Sequence, residues 1–573
     1  MSKETQTNIV KQAGVLAAAG ILVKIIGILY RSPLTGLIGD EGNGYYSSAY
    51  NIYIIILMLS SYNIPAAVSK LIAEKLALKE YRNAHRVFLV SLVYVMVMGV
   101  IAAFVLYMGA ELFVGHNAAS VLRVFAPTII IFGPLGALRG YFQAHHTMTP
   151  TSISQIFEQV FNAGISILAA FIFTGAVGGM TKAARESTFA GDAGLLSTAS
   201  AFVLGESAAR TTDTQRAVSG AAGSALGTGA GVLVAAIFMG YMYYRRRKQF
   251  RTEIALDKQS VVLPYKAILK QMILMVTPIL LSNFIYNFCN TLNQSIYFGI
   301  LRGVKGISEA EASTMFGIYA GKASIIVNVP IAIAAAMSSV MIPAVSAAYA
   351  HKNMEEIKEK ISTAIRVTML VAIPSAVGLF ALAKPVTQLL FPQKVSLDAA
   401  SSLLMGLAIT VVFFSISTIT NAVLQGMGKV NKPVVNSAIS LVIQAVVLTL
   451  LLLLTNFNLY ALVIASILYS ALMVYLNSKA IYKETGYKQE IRKTFVLPFV
   501  AAAIMGVVAF FVYFLVNLLV RTNVIAFILA VGVAVMVYFA VLIMIGGATE
   551  ADLKRFPKGA LIIKLAKKVK ILK

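Results

Sequence analysis

Acidic side chains are scarce: 23 Asp and Glu stand among 573 residues, and charges of both signs make up only 12% of the chain, against roughly 25% in ordinary soluble domains. With 58% of the residues apolar, that shortage excludes a water-soluble fold, because too little polar surface exists to cover the oil. Cysteine occurs once, at Cys289, which excludes an internal disulfide framework, a CxxC redox pair and a cysteine-rich metal site. His85, His116, His145, His146 and His351 fall in or near expected loops. No paired carboxylates or metal-ligand spacing lie on an apolar run. No catalytic residue, metal or cofactor is therefore expected. A membrane glycan polymerase or ligase would want a large outer loop with carboxylates or histidines, and the one long insert, 177–216, holds only Glu186, Asp192, Glu206 and Asp213. That insert is rich in Gly, Ala, Ser and Thr and reads as a flexible external loop.

Apolar length is what the chain has in abundance. Mean hydropathy is +0.81, and about 20 apolar residues cross a hydrocarbon core of about 30 Å. The runs predict helices near 12–38, 44–69, 87–111, 120–143, 151–176, 217–244, 263–300, 313–349, 362–384, 400–424, 433–455, 459–480, 495–520 and 522–546. This is an all-α membrane protein with about fourteen spans. Lys24 sits inside the first run, which ends in no small-residue cleavage pattern, so a removed signal peptide is not expected.

The net charge of +25 reads mainly as topology. With the amino terminus in the cytoplasm, 35 of the 48 Lys and Arg fall on inner segments, as the positive-inside rule requires. Both termini are then cytoplasmic. Arg245-Arg246-Arg247-Lys248 and the basic amphipathic tail at 550–573 suit anionic lipid of the inner leaflet, not nucleic acid.

The sequence also repeats itself. Ile64-Pro65-Ala66-Ala67-Val68-Ser69 returns as Ile342-Pro343-Ala344-Val345-Ser346, about 278 residues on, and Gln143 with Pro150 returns as Gln425 with Pro433, at spacings of 282 and 283. Six spans separate the copies, so two parallel six-helix lobes are expected, with two extra helices at the end. The organisation predicted is an N-lobe at 1–244, an inner connection at 245–262, a C-lobe at 263–482 and an added helix pair at 495–546. Parallel repeats are a transporter architecture, with the substrate path between lobes that rock in alternating access.

Candidate site residues are the polar groups at membrane depth. Gly20, Lys24, Gly27 and Arg31 follow at i, i+4, i+7 and i+11 and share one helical stripe. Lys322 lies within the eighth span. A central Lys or Arg costs about 2.5–3.5 kcal/mol to insert, so these cations point to a water-filled, protein-lined cavity. Arg31 could equally reach the outer interface beside Asp40 and Glu41. Asn283, Asn287, Asn290 and Gln294 repeat the same spacing on the seventh span, for cavity lining or for helix–helix hydrogen bonding. Tyr46, Tyr50 and Tyr53 form another stripe, a wall for sugars or interfacial packing. Glu158, beside Gln155 and Asn162, is the one clearly intramembrane carboxylate. Cations with almost no acids suit a diphosphate head group and disfavour a small-molecule cation antiporter.

Gly27-Ile-Leu-Tyr-Arg31 leading to Gly39-Asp40-Glu41-Gly42-Asn-Gly-Tyr45, then Ile64-Pro65-Ala66-Ala67-Val68-Ser69-Lys70-Leu-Ile-Ala-Glu74, resembles the SpoVB/YtgP branch of polysaccharide-type flippases. That branch is similar to the MurJ lipid II flippases within the multidrug/oligosaccharidyl-lipid/polysaccharide (MOP) superfamily. The resemblance implies fourteen helices in two lobes, a cationic cavity for pyrophosphate and sugar, and a groove on the last two helices for the polyprenyl tail. It carries basic roles onto Lys24, Arg31 and Lys322 and an acidic one onto Asp40. Where relatives have an Asp on the seventh helix, Asn287 and Asn290 stand here, so no sodium site is carried over. Membrane potential can still drive an anionic head group outward, at about 2.3 kcal/mol per charge per 100 mV. The expected function is flipping of a lipid-linked cell-wall precursor, first of all lipid II, by a monomer in a bacterial plasma membrane. The alternatives are export of another lipid-linked oligosaccharide, for capsule or spore cortex, and MATE-like antiport.

Overall fold

The computed structural model describes residues 19–547 apart from 21, 63, 146, 176–212, 258–259, 351–352 and 392. Every regular element among these residues is helical, because where water is absent a helix satisfies its own backbone hydrogen bonds. Among the described residues, eleven helices are long and apolar enough to cross a membrane, or twelve if the bent pair Leu22–Leu29 and Arg31–Ser61 is one span. The chain is thus an all-helical, multi-pass membrane protein. Part of the distance from fourteen arises at the start. Helix α1 (Leu22–Leu29) meets α2 (Arg31–Leu57) at a 47° bend, and α2 leaves helical conformation at Gly39, with φ +71° and ψ −178°. That glycine falls between the expected spans 12–38 and 44–69, and it takes a positive φ without the Cβ clash another residue would suffer. Two expected spans are thereby joined with no loop between them. Most of the 177–216 insert and the whole 550–573 tail lie outside the described residues.

Two compact units divide the chain. The first takes Met1–Ser295 and Ile307–Gly317. Besides α1 and α2 it holds α3 (Ile64–Ala77), α4 (Tyr81–Met108), α5 (Ala110–Val114), α6 (His116–Ala144), α7 (Thr149–Phe173), α8 (Asp213–Leu256), most of α9 (Tyr265–Gly303) and most of α10 (Glu309–Ile318). Helix α6 is central and buries Leu122, Phe125, Ile129, Leu135 and Phe142. Small residues set a close approach between α7 and α8. Gly223, Gly227 and Gly231 lie one turn apart; a Cβ on Gly223 would come 2.7 Å from the Ala169 carbonyl oxygen, and on the other two it would collide with Ser166 and with the Glu158 carbonyl. Ser166 Oγ then donates to the Ser224 carbonyl at 2.8 Å, a hydrogen bond across a small-residue seam of the kind that holds membrane helices together.

The second unit takes Ile296–Gly306 and Ile318–Lys573. It holds a π-helical turn at Tyr319–Ala323, then α11 (Ser324–Ala350), α12 (Met354–Ala381), α13 (Ala383–Leu390), α14 (Leu397–Gly426), α15 (Asn431–Leu454), α16 (Leu459–Thr485), α17 (Leu497–Val520) and α18 (Asn523–Met544). The last two helices are fixed to this unit: Tyr538 Oη donates to the Leu370 carbonyl at 2.9 Å and Asn523 Nδ2 to the Pro385 carbonyl at 3.2 Å.

The repeated motif does the same packing job in each unit. A Cβ on Gly140 would lie 2.8 Å from the Pro65 carbonyl oxygen and 3.1 Å from Val68 Cβ; on Gly426 it would lie 2.8 Å from the Ile342 carbonyl oxygen and 3.0 Å from Val345 Cβ. The unit boundary, however, does not follow the expected 245–262 connection. Helix α8 continues to Leu256 because Phe250 packs edge-on against Tyr141, with ring centroids 4.9 Å apart. Ile268, Met272 and Val276 of α9 are then buried in the core of the first unit.

Candidate substrate site

In the first unit the cations of the first helix have different settings. Lys24 of α1 is exposed, whereas Gly27, on the same stripe, faces α7, where an added Cβ would meet Gln159 Nε2 at 3.2 Å. Arg31 opens α2 and is only partly exposed. Its guanidinium carbon lies 4.7 Å from the Tyr46 ring centroid and 5.9 Å from that of Tyr30, within reach of a cation–π attraction that is stronger where water is excluded. Among the described residues neither Lys24 nor Arg31 is ion-paired with a carboxylate.

The tyrosine stripe continues this surface. Tyr46 and Tyr50 stack at 5.8 Å with 11° between planes, and Tyr53 stacks on Phe125 of α6 at 4.7 Å. Tyr46 and Tyr53 are buried, so they work as packing; Tyr50 keeps part of its ring open. Asp40 follows the Gly39 break directly, and its backbone carbonyl lies against Gly317 so closely that a Cβ there would collide with it.

Glu158 is not a free carboxylate. Arg139 of α6 donates to it through Nη2 at 2.7 Å, and through Nε to Ser154 Oγ at 3.0 Å. Arg139 is buried, 6% exposed. The sequence places Arg139 among the inner-segment cations, four residues from the end of the expected fourth span; the structure puts it inside a helix, answering the one intramembrane acid. The Arg31 surface and this closed pair belong to the same unit, which leaves the pair neutral and Arg31 cationic.

The stripe on α9 splits. Gln294 is buried; its Oε1 accepts from Asn51 Nδ2 at 2.8 Å and its Nε2 donates to the Ser48 carbonyl at 3.1 Å. Helix–helix hydrogen bonding is therefore its role here, and cavity lining is not. Asn290 is exposed. The side chains of Asn283 and Asn287 lie outside the described residues.

Lys322 occupies the π-helical turn of the second unit and is 1% exposed. Its ammonium donates to Ser396 Oγ at 2.6 Å and sits 5.9 Å from the Phe391 ring. It is enclosed by the α13–α14 connection and lines no open water. Spacing also missed a neutral knot in this unit. Asn477 Nδ2 donates to Asn421 Oδ1 at 2.7 Å and to Thr420 Oγ1 at 3.2 Å, while its Oδ1 accepts from Asn436 at 2.8 Å. Asn421 stands 282 residues after Arg139, so the repeat spacing that relates Gln143 to Gln425 pairs a charged contact in one unit with a neutral one in the other.

Residues 9–192 match the family model described as "Polysaccharide biosynthesis protein", and residues 278–450 match the MatE model. Among curated relatives, the "Uncharacterized membrane protein YabM" of Bacillus subtilis is 26% identical over 77% of this chain and 74% of its own length. The "Lipid II flippase MurJ" of the same bacterium is 24% identical over 86% of both chains. In fold, the chain is similar to a solved structure of the lipid II flippase MurJ in an inward closed conformation, with TM-score 0.61, 11% identity, and 92% of this chain and 97% of that one covered. With one family model on each repeat, relatives along most of its length and that fold, the chain is similar to membrane flippases and transporters of this kind.

Proposed function

We propose that this transporter is a flippase that carries a lipid-linked cell-wall precursor across a bacterial plasma membrane by alternating access, with lipid II as its first substrate. The observation that carries the reading is that the Arg139–Glu158 ion pair answers Glu158 while Arg31, in the same unit, has tyrosine rings and, among the described residues, no carboxylate against it. A carboxylate already answered by a guanidinium offers little to an organic cation, whereas Arg31, backed by tyrosine rings, can bind phosphate oxygens through two parallel hydrogen bonds. Lys24, exposed on the preceding helix, adds a second positive charge to attract an anionic head group. Lys322 and Asp40 act in this reading as supports, the first holding the α13–α14 connection and the second following the Gly39 break. Neither a metal nor a cofactor is needed. The protein works as a monomer with both termini cytoplasmic, and its Arg245–Lys248 run meets anionic inner-leaflet lipid.

A second reading, export of another lipid-linked oligosaccharide, is favoured by the match of residues 9–192 to a polysaccharide biosynthesis family. Expression in a strain depleted of its lipid II flippase separates the two. Restored growth with lipid II reaching the outer leaflet supports the first reading. A well-inserted protein that fails to restore growth, tested beside a working flippase, rejects lipid II and leaves the second.

A further inference from the structure

Between α8 and α9, Asp257 and residues 260–263 lie against the first turns of α4, where side chains grip the chain at successive points. Asp257 is buried; its Oδ2 accepts from the Arg82 backbone N–H at 2.9 Å and from Ser260 Oγ at 2.6 Å, and its Oδ1 from the Ser260 backbone N–H at 3.1 Å. It thereby satisfies one of the unpaired donors at the start of α4. Asn83 is fully buried. Its Nδ2 donates to the Val261 carbonyl and its Oδ1 accepts from the Leu263 backbone N–H, both at 2.9 Å, while Nδ2 also donates to Glu80 Oε2 at 2.9 Å. A side-chain amide has both a donor and an acceptor, and here it reads a carbonyl and an N–H two residues apart, as a neighbouring strand would. Arg86 closes the set, donating to the Leu263 carbonyl at 2.8 Å with its guanidinium 4.7 Å from the Tyr265 ring.

The same helix stays with the first unit well beyond that point. Ile268, Met272 and Val276 are buried in its core, and Gln294 is bonded to α2. The chain first enters the second unit at Ile296, returns to the first at Ile307 and passes to the second again at Ile318.

We infer that Asn83, Asp257 and Arg86 form a permanent clamp that fixes the inner end of α9 to the α3–α4 corner throughout transport. Residues 260–265 are then no hinge. Any rearrangement of the two units is taken up beyond Gln294, at the passages Ser295/Ile296, Gly306/Ile307 and Gly317/Ile318, and the inner part of α9 moves as a further helix of the first unit. Asn83 is suited to this by chemistry as well as place: Asp has no donor for the Val261 carbonyl, and Ala has neither partner group.

The clamp rests on the transporter reading, and one set of variants tests the two separately. In a Cys289→Ser background, the pair Asn83→Cys and Leu263→Cys is oxidised in membranes and assayed for transport; a second pair, Arg82→Cys and Asp257→Cys, covers the case in which the first fails to fold. A protease site placed near residue 200, between the two cysteines, shows on a gel whether the halves are joined. The expected result is a disulfide that forms readily with and without substrate and causes no loss of transport. Arrest by oxidation with recovery on reduction, or failure of both pairs to join, would overturn the clamp. If the Cys289→Ser parent itself moves no lipid-linked precursor, the functional reading fails while the cross-linking result still reports on the clamp.

Discussion

Arg139 and Glu158 meet at 2.7 Å from adjacent helices, and Ser154, one turn before Glu158 on α7, accepts from the Nε–H of the guanidinium. Glu158 and the buried Arg139 thus neutralise each other. Removing one member of such a pair leaves the other charge uncompensated where little water reaches it, while replacing both can be nearly neutral. Arg139→Met should therefore lower the melting temperature of the purified protein more than Arg139→Met with Glu158→Leu does. A double variant no more stable than Arg139→Met would show that the pair contributes little.

Lys24 is exposed and Lys322 enclosed, so their substitutions should fail differently. Lys24→Ala is expected to leave membrane abundance near normal and abolish transport, with Lys24→Arg rescuing better than Lys24→Gln because charge is what the position supplies. Lys322→Ala removes the bond to Ser396 and should reduce abundance as well. Full complementation by Lys24→Ala would remove that residue from the substrate path.

Arg31 leads to a prediction about ligands. Purified protein should bind a polyprenyl-diphosphate glycan more tightly than the same glycan lipid without its diphosphate, and Arg31→Gln should shrink the difference, since it deletes the charge but keeps hydrogen-bonding capacity. Equal affinity for the two ligands, measured by titration in detergent, would reject the anion site and bring the antiporter back.

Topology is open to a direct check. Cysteines placed singly at residues 200 and 250 in a Cys289→Ser background should label oppositely with an impermeant thiol reagent in intact cells: 200 reactive, 250 protected. The reverse pattern would invert the expected orientation.

Acid should act on the connection through Asp257. Hydrogen bonds from Ser260, first, and from the Arg82 backbone hold its carboxyl below the usual carboxylate range. A depressed folded pKa contributes stability that is complete above the unfolded value and is lost as pH falls through the folded one. The stability difference between the parent and Asp257→Asn should thus be present at neutral pH and close only in strongly acidic solution. A difference that instead grew on acidification would show that the carboxylate is not the stabilising form.

The all-helical class and the two-fold repeat are legible because each rests on a local or periodic property: hydropathy over about 20 residues, and Ile-Pro-Ala followed by Val at a fixed spacing. Arg31 and the tyrosine stripe were each legible for the same reason, but that they meet was not. What spacing cannot reveal is which face a helix turns to which neighbour. Asn290 and Gln294 share a stripe on paper, yet one is exposed and the other is bound to Asn51 and Ser48. Arg139 lies so near a span end that charge counting assigns it to the inner surface, and only the position of α7 shows its partner. The unit boundary was hidden for a similar reason. A stretch without apolar periodicity looks like a free connection, although Asn83 holds its backbone at two points.

The seam between α7 and α8 leaves a mark on how this sequence can drift. At Gly223, Gly227 and Gly231 a single methyl group has nowhere to go, since the neighbouring backbone is already in contact, whereas Gly164 on α7 and Gly240 on α8 have nothing within 4 Å of an added Cβ. Both classes of glycine look alike in composition. Three of them are a lock on future substitution, and the other two are free to become almost anything a lipid-facing helix accepts.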